Sequence, residues 1–416
     1  MIDIKAAREH AAAWRAALSR RGHAEAEAFD ALLTADQRRR ELIAQVEPLR
    51  AAAKPKGRPT PEELEAFRSL KAERERLEAE LAEAQAAFDA LLARIPNPPL
   101  DDVPAGGEDE GEVLREVGEK RAFTFPVRDH LDLAEAHGWI DVERAGKVSG
   151  ARFVYRVGEL VLLELALYRF ALDRLVAKGF TPMLPPVLVR EEAMYGTGFF
   201  PTDAVNIYAV ERDELYLTGT SEVALAAFHA HEELPEETLP RRYCAYSTCF
   251  RREAGAAGKD TRGMFRVHQF DKVEMFVYCR PEDSRYEHDR LLAIEEELVQ
   301  ELGLPYRVVN IAAGDLGGPA AKKYDIEAWF PGQERYREIT STSNTTDYQA
   351  RRLGVRYRRG GGRLEHVHTL NGTAVTGRAL IAVLENYQAP DGSVEVPPAL
   401  VALGAPARIG KDADRL

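Results

Sequence analysis

Along the first hundred residues the apolar positions recur at helical spacing. Phe29 and Leu32, then Leu42, Val46, Leu49 and Ala53, fall on one stripe. Further on, Leu70, Leu77, Ala84 and Leu91 lie seven apart, and Phe67, Arg74, Leu81, Phe88 and Ile95 form a companion seam that only Arg74 breaches. Two seams alternating by three and four residues specify a coiled-coil stripe. Ala, Glu, Leu and Arg dominate this stretch, and all are helix formers. The segment between the stripes, Lys54 to Pro61, holds three prolines and a glycine and cannot continue a helix. Thr60 is placed to cap a second helix, with Pro61 at its first position and Glu63 three residues on. So short a turn predicts an antiparallel hairpin, with arms of about 30 residues and a length of roughly 45 Å at 1.5 Å per residue.

The pattern changes after Pro96-Asn97-Pro98-Pro99 and a linker with Gly106, Gly107 and Gly111. Arg156 to Lys178 predicts an apolar helix buried on several sides and closed by Gly179. Strands are expected at Leu215 to Thr218, Tyr243 to Arg251, Phe265 to Tyr278, Arg307 to Ile311 and Arg335 to Thr342. They lie too close together for helical crossovers, so the sheet is expected to be antiparallel. Ala379 to Tyr387 predicts another buried helix. The expected fold class is α+β: a helical hairpin over residues 1–99, then an antiparallel sheet flanked by helices over residues 100–416.

Charge changes this picture in one respect. The net charge of −12 argues against a nucleic-acid partner, yet a local basic patch can coexist with an acidic remainder. Arg50, Lys54, Lys56 and Arg58 at the hairpin tip form such a patch, or equally a solvated turn. The hairpin itself fits dimerisation or rigidity as well as binding. No apolar run approaches the roughly 18 residues of a membrane span. Met1 to Leu18 carries acids (Asp3, Glu9) and lacks the basic-then-apolar plan of a secretory signal. Three cysteines, Cys244, Cys249 and Cys279, fit free thiols in a reducing compartment, so a cytoplasmic location is expected. Cys244 and Cys249, five apart on one strand, fall on opposite faces, and no zinc is expected.

Candidate chemistry concentrates in Phe250 to Phe276. Two strands flank a loop with Gly258, Lys259, Asp260, Thr261, Arg262 and Gly263. Arg251 and Arg266 mark the strand–loop junctions, and guanidinium groups suit phosphate oxygens. Phe270 offers a flat face for a base, and Glu253 an acceptor for an exocyclic amine.

This segment, about residues 243–278, resembles motif 2 of the class II aminoacyl-tRNA synthetases in its seryl, bacterial form. Residues 156–188 resemble motif 1, and residues 370–388, from Leu370-Asn371-Gly372-Thr373 to Tyr387-Gln388, resemble motif 3. Thr218-Gly219-Thr220-Ser221-Glu222 is similar to the family's serine loop, and Glu338-Ile339-Thr340-Ser341 to its metal and ATP strand. The resemblance covers nearly the whole chain in family order. It implies activation of L-serine by ATP and transfer to tRNA(Ser), with tRNA(Sec) as a further acceptor. It also implies a homodimer in which the arm of one subunit serves tRNA bound at the other's site. Arg251, Arg266 and Arg378 become the catalytic arginines. Thr220, Ser221, Glu222, Glu274 and Thr373 become the serine site. Arg251, Arg252, Glu253, Val267, Phe270, Glu338, Ile339, Thr340, Ser341 and Arg378 become the ATP site. Glu338 and Ser341 supply oxygens for Mg²⁺. The sequence departs from the family pattern in three places. Four residues rather than five separate Thr373 from Arg378, Ala224 replaces a proline, and Thr340 replaces a serine. The first departure is expected in a loop next to Thr373.

Overall fold

The computed structural model describes residues 1–52, 61–254 and 263–410. The chain divides into two compact units, Met1–Pro99 and Leu100–Leu416.

In the first unit two short helices, α1 (Ile4–Glu9) and α2 (Ala11–Ser19), precede the long α3 (His23–Ala52) and α4 (Pro61–Arg94). The sequence reading did not anticipate α1 and α2. Asp3 caps α1 by accepting from the backbone of Lys5 and Ala6 at 2.9 and 3.1 Å. Leu42 and Val46 of α3 pack on Leu77, with Leu49, Leu81 and Ala84 alongside, so the stripes meet. Arg38 pairs with Glu80 and Arg50 with Glu78, both at 2.8 Å, which ties the register of the hairpin. Ala53, Lys54, Lys56, Arg58 and Thr60 lie outside the described residues. One polar residue interrupts the buried stripe. Asp36 is 0% exposed and takes Arg8, Arg39 and Arg40 at 2.8, 2.9 and 3.0 Å. Burial alone would raise its carboxyl, but the three arginines outweigh it and hold the group below its ordinary value. Arg39 also lies 4.4 Å from the ring centre of Phe88.

The second unit is built on eight strands: β1 (Glu112–Val117), β2 (Thr181–Met183), β3 (Arg241–Phe250), β4 (Gln269–Cys279), β5 (Tyr306–Asn310), β6 (Lys322–Phe330), β7 (Arg335–Asn344) and β8 (His368–Thr376). Their order across the sheet is β1-β5-β6-β7-β8-β4-β3-β2. Every pairing is antiparallel except β2 with β3, which is parallel. Helices α5 (Glu159–Ala177), α7 (Ser284–Glu301) and α8 (Gly377–Asn386) cover one face, while α6 (Glu222–Ala227) lies against the other. The core under α5 joins Leu160, Leu163, Leu167 and Phe170 to Val273, Met275 and Val277 of β4.

Several expected boundaries move. The motif 1 helix starts at Glu159, not Arg156, because Tyr155 and Arg156 pair as a short strand with Ile140 and Asp141. It ends where expected: Gly179, at φ +84°, and Phe180 donate back to Val176 and Leu175 at 3.0 Å, closing the helix with a left-handed turn. The helix is not buried on all sides, since Leu162 and Leu165 are 52% and 55% exposed. The second strand of motif 2 starts at Gln269 rather than Phe265. Among the described residues no helix is long and apolar enough to cross a membrane.

Candidate active site

The open face of β4 carries Phe270, Lys272 and Glu274, alternate residues that share one side of the strand. They line, or lie beside, a cleft that also takes in Arg251, Glu253, Arg266, Val267, Glu338, Ile339, Thr373 and Arg378. At its neck the ladder of β3 and β4 runs one pair beyond the strands: Arg251 donates its backbone N–H to the His268 carbonyl at 3.0 Å, and His268 Nδ1 lies 2.9 Å from the Arg251 carbonyl. That pairing fixes the junction from which both arginines project. Gly258 through Arg262 of the loop lie outside the described residues.

Two bulges decide which side chains meet. On β8, Ala374 is the extra residue, so Glu274 faces Thr373 and Val273 faces Val375. Thr373 Oγ1 then lies 3.5 Å from Glu274 Oε2. The spacing from Thr373 to Arg378 is therefore not a loop: the strand runs on to Thr376, whose hydroxyl caps α8 by accepting from Arg378 N at 3.2 Å. On β7, Ile339 is the extra residue. Three positions apart, Glu338 and Ser341 would otherwise point to opposite faces. The bulge turns both toward Asp325 of β6, which feels the charge of Glu338 and accepts from Ser341. Thr340 turns the other way, and its hydroxyl donates to Glu295 at 3.1 Å beneath the sheet. The side chain of Thr340 thus faces away from the cleft.

Glu338 is held well below the ordinary carboxylate value. Burial would raise it, but Arg378, at 3.1 Å, and Lys323 prevail. Arg378 also lies 4.8 Å from the ring centre of Phe265, which Arg337 covers from 3.7 Å. Arg251 donates to the Gly219 carbonyl at 3.1 Å and lies 5.4 Å from the ring centre of Phe270. Arg266 pairs with Glu253 at 2.6 Å. Arg252 is directed elsewhere: its Nε donates to the Ile207 carbonyl at 3.1 Å, and its guanidinium covers Tyr208.

Glu222 opens α6, and its Oε1 accepts from Gln349 at 2.7 Å and Asn371 at 3.0 Å. Burial, then the nearby charge of Glu274, pushes its carboxyl up to about 7. The free protein therefore gives up this proton only as pH rises through about 7. If Glu222 receives the substrate ammonium, the serine KM falls about tenfold per unit as pH rises toward 7, then levels. Serine KM measured from pH 5.5 to 8.5 checks this, and Glu222→Gln should flatten the profile. A pH-independent wild-type KM would remove Glu222 from that role. Thr220 accepts from Lys272 at 2.7 Å. Ser221 is buried at the start of α6, and its hydroxyl finds no hydrogen-bond partner among the described residues.

The sequence reading passed over Lys272, Asn371, Phe265 and Gln349. Lys272 and Asn371 lie two residues before Glu274 and Thr373 on the same strands, so strand periodicity alone signals them. Gln349 carries no such signal. Motif 3's tail is structural: Glu385 receives the backbone of His130 and Gly332, and Asn386 donates to the Trp329 carbonyl at 2.8 Å. Cys244 lies in the core, and burial pushes its thiol up to about 12.

Comparison with known proteins agrees with this geometry. The tRNA synthetase class II core domain (G, H, P, S and T) matches residues 208–387, and the Seryl-tRNA synthetase N-terminal domain matches residues 1–99. The serine–tRNA ligase of Thermobifida fusca (strain YX) is 52% identical over 408 residues, covering 96% of each chain. The crystal structure of seryl-tRNA synthetase from Pyrococcus horikoshii complexed with ATP superposes with a TM-score of 0.92 at 43% identity, covering 98% of this chain and 99% of that one. The cytoplasmic serine–tRNA ligase of Naegleria fowleri, in complex with AMP, does so with 0.85 at 36% identity, covering 96% and 95%. Matched in both units and nearly end to end, the chain belongs to the seryl-tRNA synthetase family.

Proposed function

We propose that the cleft joins L-serine to AMP from ATP and then passes the seryl group to the 3′ end of tRNA(Ser), with tRNA(Sec) as a second acceptor. Serine–tRNA ligation with ATP is the activity of the family and of this chain. The observation that carries the assignment of residues is the approach of Thr373 to Glu274 across the Ala374 bulge, in one cleft with Arg251, Phe270 and Arg378.

In the first step a serine carboxylate oxygen bonds to the α-phosphorus, and the bond to the β-phosphate oxygen breaks, releasing pyrophosphate. The carboxylate is already ionised at neutral pH, so no general base is needed. The residues position the reactants and neutralise growing charge. Arg251 takes the α-phosphate and Arg266 the γ-phosphate. Adenine lies between Phe270 and Arg378, with its amine on Glu253 and the backbone near Val267. In the free protein Arg266 and Glu253 pair with each other, so nucleotide entry exchanges that ion pair for two ligand contacts. In the second step a terminal ribose oxygen attacks the seryl carbonyl, and AMP leaves.

Glu338 and Ser341 fit Mg²⁺. Their oxygens are hard ligands, the carboxylate stays ionised, and the bulge at Ile339 sets them on one face. Bound there, the ion would offset phosphate charge. The apolar, exposed Leu162 and Leu165 of the motif 1 helix support a homodimer through that face. Arg50, followed in sequence by Lys54, Lys56 and Arg58, supports the hairpin's role as the tRNA-binding arm.

Pyrophosphate exchange across a panel of amino acids tests the reading. Serine alone should support exchange without tRNA, and charging should require tRNA(Ser). Exchange with no charging of any tRNA would instead indicate a ligase that loads a carrier protein.

A further inference from the structure

The best-placed cation in the cleft has no part in the assignments above. Lys272 is buried, its Nζ donates to Thr220 Oγ1 at 2.7 Å, and it forms an ion pair with Glu274. We propose that Lys272 binds the carboxylate of serine and so completes recognition of the amino acid as a zwitterion. The proposal rests on the serine reading of Glu274 and Thr373.

Three observations carry it. The first is position along β4. Phe270, Lys272 and Glu274 face the cleft at steps of two residues, about 7 Å each in an extended strand. Phe270 is the base platform and Glu274 reads the serine hydroxyl. Lys272 therefore stands between the nucleotide end and the side-chain end, where the carboxylate meets the α-phosphate.

The second is charge. Glu274 pairs with Lys272 and lies near enough to Glu222 for its charge to act there, while serine carries both signs. Arg251 is committed to the phosphate. A second cation offsets the repulsion that the serine carboxylate meets from the α-phosphate and from Glu274.

The third is valence. An ammonium has three donors, and Glu274 and Thr220 occupy two of those of Lys272. The third is available to the cleft that Lys272 lines. Lys272 is also held from two elements, β4 and the loop before α6, so its head is fixed before ligand arrives.

The competing account makes Lys272 only the counter-ion that keeps Glu274 in place. Serinol separates the two, because it keeps the amine and hydroxyl of serine but has CH₂OH in place of the carboxylate. In the full-length protein, serine KM and the inhibition constant of serinol are measured by pyrophosphate exchange for wild type, Lys272→Met and Lys272→Gln. Loss of a buried charge contact should raise serine KM at least about 50-fold and leave ATP KM within about twofold. Serinol should weaken at least about tenfold less than serine, because it never met the charge. Lys272→Gln, which can still donate to Thr220 and Glu274, keeps the test available if the methionine variant does not fold, and it must show the same asymmetry. Equal losses for serine and serinol in both variants would overturn the proposal and make Lys272 a positioning residue for Glu274. Wild-type-like serine exchange in Glu274→Ala would overturn the serine reading itself, independently of Lys272.

Discussion

Glu274→Ala lowers serine-dependent pyrophosphate exchange by about 10³-fold or more, the largest single-residue effect expected in this protein. The residue is 1% exposed, sits opposite Thr373 on the ladder and pairs with Lys272. Truncation leaves the substrate hydroxyl without its acceptor and a buried ammonium without its counter-charge. The first penalty falls on the bound complex, and the second also on the free protein, where buried Lys272 loses its partner. The same geometry predicts selection against alanine. A site built to hydrogen-bond a hydroxyl rejects an analogue lacking it by about 10⁴–10⁵. In the variant that preference should collapse, because the group proposed to read the hydroxyl is gone. Stabilisation of the protein by ATP, measured as a thermal shift, should survive, since Arg251, Arg378 and Phe270 are untouched. Exchange within tenfold of wild type would refute the assignment.

Excising Arg40 to Ala79 from the hairpin, with a short glycine turn closing Arg39 to Glu80, should lower charging of tRNA(Ser) at least about 100-fold while exchange stays within about twofold. The cut falls just beyond the Arg38–Glu80 pair, so the base of the hairpin keeps its register, and Asp36 keeps Arg8 and Arg39. The two units are each compact, and the residues lining the cleft all belong to the second, Leu100–Leu416. What the excision removes is the adjoining parts of α3 and α4 and, in sequence between them, Arg50, Lys54, Lys56 and Arg58. Charging, exchange and the salt dependence of tRNA binding together check the outcome. Binding through phosphates loses its salt slope when the cations go. Unchanged charging by the shortened chain would reassign the hairpin to a structural role.

Much of the site was legible in order along the chain, because strand and helix periodicities are local. Phe270 and Glu274 on one face, the arginines at the loop junctions and the heptads of the arm follow from spacing. Other features were not legible. Nothing local marks Asp36 as the buried node of three arginines, because Arg8 reaches it from a separate helix. Arg252, beside Arg251, turns to the Ile207 carbonyl, a partner far away in sequence. Thr340, between two residues that face Asp325 and the cleft, points beneath the sheet.

By itself the sequence determined many of the elements, that two helices fold back on each other, and which residue types could hold a nucleotide. Hydrophobic period, caps and prolines act within a few residues, so they can be read from the chain. Only the tertiary structure decided which of those side chains meet. The Ala374 bulge sets Thr373 opposite Glu274, and the Ile339 bulge turns Glu338 and Ser341 to one face. A bulge is the mismatch between two strands distant in sequence. It belongs to neither strand alone, and one residue of shift reverses the face of every side chain beyond it.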